Sequence, residues 1–150
     1  MKKIIIVLVI ALMTSCASKT SFNTFYQDNQ EDSDFSFGIS SSLVASFLDD
    51  DDIEDIKPLL KKAKHVKILV FTENYDEKSV KFKKFIDKSQ FDKLMRIKDN
   101  DDNIAFFTLE DQDKIKEMVL EISTGDELVL IGLKTNMTPE DLEGIIEKSS

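Results

Sequence analysis

Between Phe35 and Ser150 the apolar positions change period several times, and each change predicts an element. Leu43, Val44, Phe47 and Leu48 fall on one face of a helix behind the cap-like serines Ser40 to Ser42. Ile53, Ile56, Leu59, Leu60 and Ala63 make a second helical set, with Pro58 restricting its first turns. The period then drops to two in HVKILVFTE, where Val66, Ile68 and Val70 alternate with Lys67, Leu69 and Phe71, so a strand is predicted. A third helix is expected near Glu77 to Lys88, with Val80 or Phe82 joining Phe85 and Ile86 on its buried side.

The second half reads as strands joined by polar turns: Leu94 to Lys98, Ile104 to Leu109 across DNDDN, Ile115 to Ile122, and Glu127 to Leu133 across STGD. Ile115, Met118, Val119 and Ile122 also fit helical spacing, so residues 113–123 are open to both readings from the pattern alone. Gly125-Asp126 supplies a hairpin-type turn into ELVLIGL, which favours the strand. The chain closes with TPEDLEGIIEK, where Thr138 caps, Pro139 suits the first helical position, and Glu140 and Asp141 complement the helix dipole. Residues 35–150 are therefore expected to form a single α+β domain: a largely antiparallel sheet of about five strands with helices packed on it, in the order ααβαββββα.

The segment before that domain has a different character. Lys2 and Lys3, the ten apolar residues Ile4 to Met13, and the small residues Thr14 and Ser15 form the three zones of a secretory signal. The apolar run is half the roughly 20 residues that a membrane-spanning helix needs. LMTSC resembles a bacterial lipoprotein box, which implies cleavage of residues 1–15 and lipid attachment at Cys16, with Met13 where such boxes commonly carry Leu. Several acyl chains hold a protein firmly on a membrane, each buried CH₂ contributing about 0.8 kcal/mol. Residues 16–34, rich in Ser, Thr, Asn, Gln and Asp, read as a flexible tether between that anchor and the domain. With Cys16 the one cysteine of the chain, the mature domain has no intramolecular disulfide to rely on.

Taken together, the signal, FGISSSLVASFL, VKILVF, FDKLMRIKDNDDNIAFF, IKEMVLEIS and DELVLIGLKTNMTPEDLEGI resemble an uncharacterised family of Bacteroidetes lipoproteins and secreted proteins, a domain of unknown function. The resemblance spans residues 35–148 and implies the fold and export, with no chemistry attached. Members of that family tend to carry Gly between the last strand and the last helix; this chain has Thr135-Asn136, and Asn is expected to accept the positive φ of such a turn.

No catalytic signature stands out. There is no glycine-rich phosphate loop, no G-x-S-x-G, no H-E-x-x-H and no C-x-x-C. His65, the one histidine, reads as a surface residue at a strand entry. DNDDNIAFFTLE places Asp99, Asp101, Asn103 and Glu110 at calcium-loop spacing, but Ile104 stands where the loop needs Gly, so a solvated hairpin is the better reading. The acidic run Asp49 to Asp55 reads as helix-terminal charge. Neither cofactor nor metal is expected.

Charge is the more informative property. The chain carries a net charge of −9, yet residues 57–98 hold 13 Lys or Arg against 5 Asp or Glu. Lys78, Lys81, Lys83, Lys84 and Lys88 are expected on the exposed face of the third helix as a cationic interaction patch. Overall acidity and export argue against nucleic acid as a partner. The leading expectation is a non-enzymatic, lipid-anchored envelope protein, held on the periplasmic side of the outer membrane through Cys16 and engaging an envelope protein through its sheet face or Lys-rich helix. Eleven phenylalanines without a tryptophan suggest a small-ligand or lipid-binding module as the alternative. A hydrolase using paired carboxylates ranks last, because no spacing singles out a pair.

Overall fold

The computed structural model describes residues 21–40, 43, 46 and 57–149. Residues 1–20, with the expected signal and Cys16, lie outside the described residues. So do most of the first expected helix (43–48), the start of the second, and the acidic run at 49–55. The described elements are α1 (Phe22–Asn29), β1 (Phe35–Ser40), α2 (Lys57–Lys62), β2 (His65–Phe71), α3 (Tyr75–Lys88), β3 (Asp92–Asp99), β4 (Asp102–Asp111), β5 (Lys114–Ser123), β6 (Leu128–Met137) and α4 (Pro139–Ser149). Among them no helix is long and apolar enough to cross a membrane.

The six strands form one antiparallel sheet in the order β1-β2-β6-β5-β4-β3. The α+β class holds, with one strand more than expected. The extra strand is β1, whose Phe35, Phe37 and Ile39 alternate with Ser36, Gly38 and Ser40, a short period-two signal. Residues 114–123 are a strand, paired on both sides, so cross-strand pairing decides what local spacing left open. Two-residue connections close the β3–β4 and β4–β5 hairpins; Asn100, Gln112 and Asp113 take the left-handed conformation there.

The expected tether needs correction. From Phe22 onward it belongs to the fold, because Phe22, Phe25, Tyr26 and Asn29 recur at helical spacing and are all buried on one side of α1. Phe22 lies flat over Gly132 of β6, a position where any Cβ would collide with its ring. Asp34 then ties the chain to the sheet: its Oδ2 accepts from the Thr72 backbone N–H at 2.6 Å, and its own N–H donates to the Val70 carbonyl at 2.9 Å.

The sheet has a core on each face. On one, α1 and α3 cover Leu69, Phe71, Leu128, Leu130, Val119, Ala105 and Phe107. Phe82 of α3 is its centre, meeting Phe25 and Phe107 edge-on at 5.5 and 5.8 Å between ring centroids. Of the two residues expected to compete for this role, Phe82 is buried and Val80 is exposed. On the other face, α2 and α4 cover Ile39, Val66, Leu133, Met118, Ile115 and Met137. β6 runs on through Thr135 and Asn136, which therefore form no turn; Asn136 does not take positive φ, and Thr135 Oγ1 donates to the Ile115 carbonyl at 2.6 Å. The turn into α4 is made one step later by a reciprocal cap, Thr138 N–H to Asp141 Oδ2 at 3.0 Å and Asp141 N–H to Thr138 Oγ1 at 3.1 Å.

Candidate interaction surfaces

α3 positions the lysines that the sequence singles out. Its register is set by Phe82 and Ile86, which point into the core. Lys78 lies one turn before Phe82 and points the same way, so it leaves the expected patch: it is 6% exposed, its Nζ donates to Asp32 Oδ2 at 2.9 Å, and it lies over the Phe71 ring. The ammonium in turn holds the Asp32 carboxyl below its usual range. Lys81, Lys83, Lys84 and Lys88 remain exposed, as expected.

Lys83 does not act with the other α3 lysines alone. It lines a cleft of about 550 Å³ between α3 and the outer strands, where β3 adds Lys93, Arg96 and Lys98. These three come from an edge strand whose residues are all exposed and whose register slips between Lys93 and Met95, a bulge and a charge pattern that discourage further strand pairing. Their recurrence in the sequence was visible as net positive charge, but their convergence with Lys83 depends on the sheet.

The floor of this cleft is Glu121 of β5. Arg96, Ala105 and Glu121 are opposite one another across three strands, and the small side chain of Ala105 leaves room for the guanidinium to reach over it to Glu121 Oε2 at 3.8 Å. Glu121 is 6% exposed, and burial pushes its carboxyl up, while Arg96, Lys93 and Lys83 pull it back down. Beside it the buried Oδ1 of Asn103 accepts no hydrogen bond among the described residues. The cleft thus gathers cationic side chains round one reluctantly ionised carboxyl and an unmet acceptor. Asp87 of α3 lines the same cleft, while Glu117, the other carboxyl raised by burial, is on the same face of β5 four residues from Glu121, about 13 Å along the strand and beyond glycosidase-type spacing. The Asp99 to Glu110 spacing is a hairpin, Asp99 opposite Asp102 and Lys98 opposite Asn103, so its acidic groups do not encircle one point.

The opposite face of the sheet offers a different surface. Among the described residues α2 and α4 cover one end of it, and two rows of apolar side chains run beside them across all six strands, with Ile68, Ile131 and Phe106 packed against the core under those helices. One row is Phe37, Ile68, Ile131, Leu120, Phe106 and Met95; the next is Phe35, Val70, Val129, Ile122, Ile104 and Ile97. None of the twelve is fully buried, and at the two edges Phe35, Phe37, Met95 and Ile97 are 53, 39, 42 and 48% exposed. With strands about 4.8 Å apart and rows about 7 Å apart, the surface covers roughly 300 Å² in plan, comparable to the largest apolar patch of a typical monomer, which is often functional. Nothing in linear order announces these rows, since each takes one residue from each strand. His65, the remaining residue of interest, starts β2 and is exposed, as expected of a strand entry.

A family model described as a domain of unknown function, DUF4252, matches residues 25–145, and the chain belongs to that family. The match begins inside α1, in keeping with a domain that starts earlier than Phe35. No curated protein and no solved structure matches the chain.

Proposed function

We propose that this DUF4252 domain is the folded part of an exported lipoprotein, cleaved before Cys16, anchored through lipid on that cysteine to the periplasmic side of the outer membrane, and docking an envelope protein on the open face of its sheet. The two unbroken apolar rows carry this reading. Apolar surface on that scale stays exposed at a cost in solubility, and a partner that covers it gains about 25 cal/mol for each Å² removed from water. The composition of the first 16 residues supports the anchor.

The test is photo-crosslinking in living cells from unnatural residues placed at Phe37, Met95 and Ile97, with Lys81 and Lys88 as control sites. The expected result is one envelope protein joined from the sheet face and not from the controls. Adducts confined to the chain's own residues, or equal yields from both sets, would overturn the docking reading. Intact mass and membrane fractionation of a Cys16→Ser variant test the anchor separately.

The second reading is a small-ligand module, and the Asn103 Oδ1 acceptor in a cleft of about 550 Å³ favours it. A ligand there would bring an anionic group to Lys93, Arg96 and Lys98 and a hydrogen-bond donor to Asn103. Native mass spectra of protein purified from its own envelope, showing a bound small molecule lost on Arg96→Ala substitution, would support this reading over the first.

A further inference from the structure

A second cavity, of about 600 Å³, opens at the start of α1, beside Ser21. Lys64, Lys67, Lys116, Lys134 and His65 line it, against the carboxyl groups of Asp111 and Glu117. Burial raises the Glu117 carboxyl, while the Phe22 backbone N–H and the charges of Lys134 and Lys67 pull it back down. The hydrogen bonds of two of these lysines go to neutral acceptors, Lys67 to Asn23 Oδ1 and Lys116 to Asn136 Oδ1. None of the four joins an ion pair within 4 Å among the described residues. In a chain of net charge −9, this is a local concentration of positive charge that folding assembles from β2, β5 and β6.

Its position relative to Cys16 gives it a use. Because the first described helix begins at Phe22, only four residues lie between Cys16 and Ser21, five Cα–Cα steps with a reach of at most about 18 Å. A long tether would leave the domain free to tumble; one this short forces the α1 end toward whatever Cys16 is fixed to. We infer that the cluster of Lys64, Lys67, Lys116 and Lys134 faces and binds anionic lipid headgroups, setting the domain's orientation on its membrane. The inference rests on the lipid anchor proposed above. It assigns the membrane-facing role to this end of the sheet and not to the lysines of α3.

The experiment uses the full lipidated protein reconstituted into vesicles containing phosphatidylglycerol or made of phosphatidylcholine alone. Lysines are labelled with an amine-reactive reagent and followed peptide by peptide in a mass spectrometer, with Lys81, Lys84 and Lys88 as internal controls. Anionic vesicles should slow labelling of the four cluster lysines about fivefold, the factor equivalent to ~1 kcal/mol per lysine near an anionic surface, and leave the controls unchanged. The difference should vanish at high salt. In a Lys64→Gln/Lys116→Gln/Lys134→Gln variant, Lys67 should label equally fast in both vesicles. Equal rates in the original protein, or controls slowed as much as the cluster, would overturn the orientation while leaving the anchor standing. A mature protein whose intact mass shows no lipid on Cys16 would overturn both.

Discussion

Replacing Gly132 by Ala tests whether α1 is truly seated on the sheet. A methyl group at this position would sit 2.0 Å from Phe22 Cδ1 and 2.5 Å from Cε1, so the ring must retreat by about 1.5 Å to reach ordinary contact distance. That ring is 2% exposed and stacks 6.1 Å from Phe25, so its retreat disturbs the packing of α1. Overpacking of this kind costs about 1–3 kcal/mol, of which the better strand behaviour of Ala returns about 0.5–1 kcal/mol. Phe22→Ala alone should cost about 3–5 kcal/mol. The informative experiment is the double-mutant cycle, followed by urea unfolding and far-UV circular dichroism on the mature chain. Once Phe22 is Ala, the added methyl at 132 should be neutral or slightly stabilising, giving a coupling of about 2 kcal/mol between the two sites. If the two substitutions prove additive, Phe22 does not pack on Gly132, and residues 22–29 revert to a tether.

Phe82→Ala should destabilise by about 3–5 kcal/mol and Val80→Ala by less than about 0.5 kcal/mol, measured in the same unfolding assay, since only the first side chain is inside the core. Asp32→Asn should lower the melting temperature by more than Lys78→Met does, because the former strands a buried ammonium and the latter leaves an apolar replacement in its place. Glu121 has its folded pKa raised, so the native state holds its proton to higher pH than the unfolded chain does, and its ionisation drains stability as pH climbs through that interval. Glu121→Gln should therefore gain stability relative to the original between acid and neutral pH; a constant difference across the titration would refute the burial argument. Asp34 is displaced the other way, held low by the Thr72 and Glu73 backbone N–H groups, so its contribution is present above the ordinary Asp range and lost as pH falls through the folded value. Asp34→Asn should accordingly flatten the acid limb of the stability profile.

The parts of the fold that were legible in sequence are those whose burial is decided by their own periodicity. β2, β4 and β6 show period-two or continuous apolar runs, and α3 and α4 show a single apolar stripe with acidic residues in the first turn. α1 was misread because its eight residues hold only three large apolar groups, in a stretch whose composition suits disorder; what makes it a helix is the distant Gly132 that admits Phe22. β1 carries the right alternation but is only six residues long. Lys78 shows the limit for sites: charge and spacing place it with the other lysines, while Asp32 and Phe71, neither of them on α3, draw it inward. Glu121 has no sequence signal at all, since its burial and its cationic surroundings come from α3 and three neighbouring strands.

The position of β2 in the sheet also governs when the domain can form. β3 to β6 are a meander whose members pair with their immediate neighbours in sequence, but Val66 of β2 is opposite Leu133 of β6, and β1 has β2 as its partner. Such late, long-range pairing slows folding. During synthesis, α1, β1 and β2 emerge first and have no sheet to join until the C-terminal residues arrive. Under the export proposed above, the chain would stay loose for almost the whole of its passage through a membrane and close only when β6 has reached the other side.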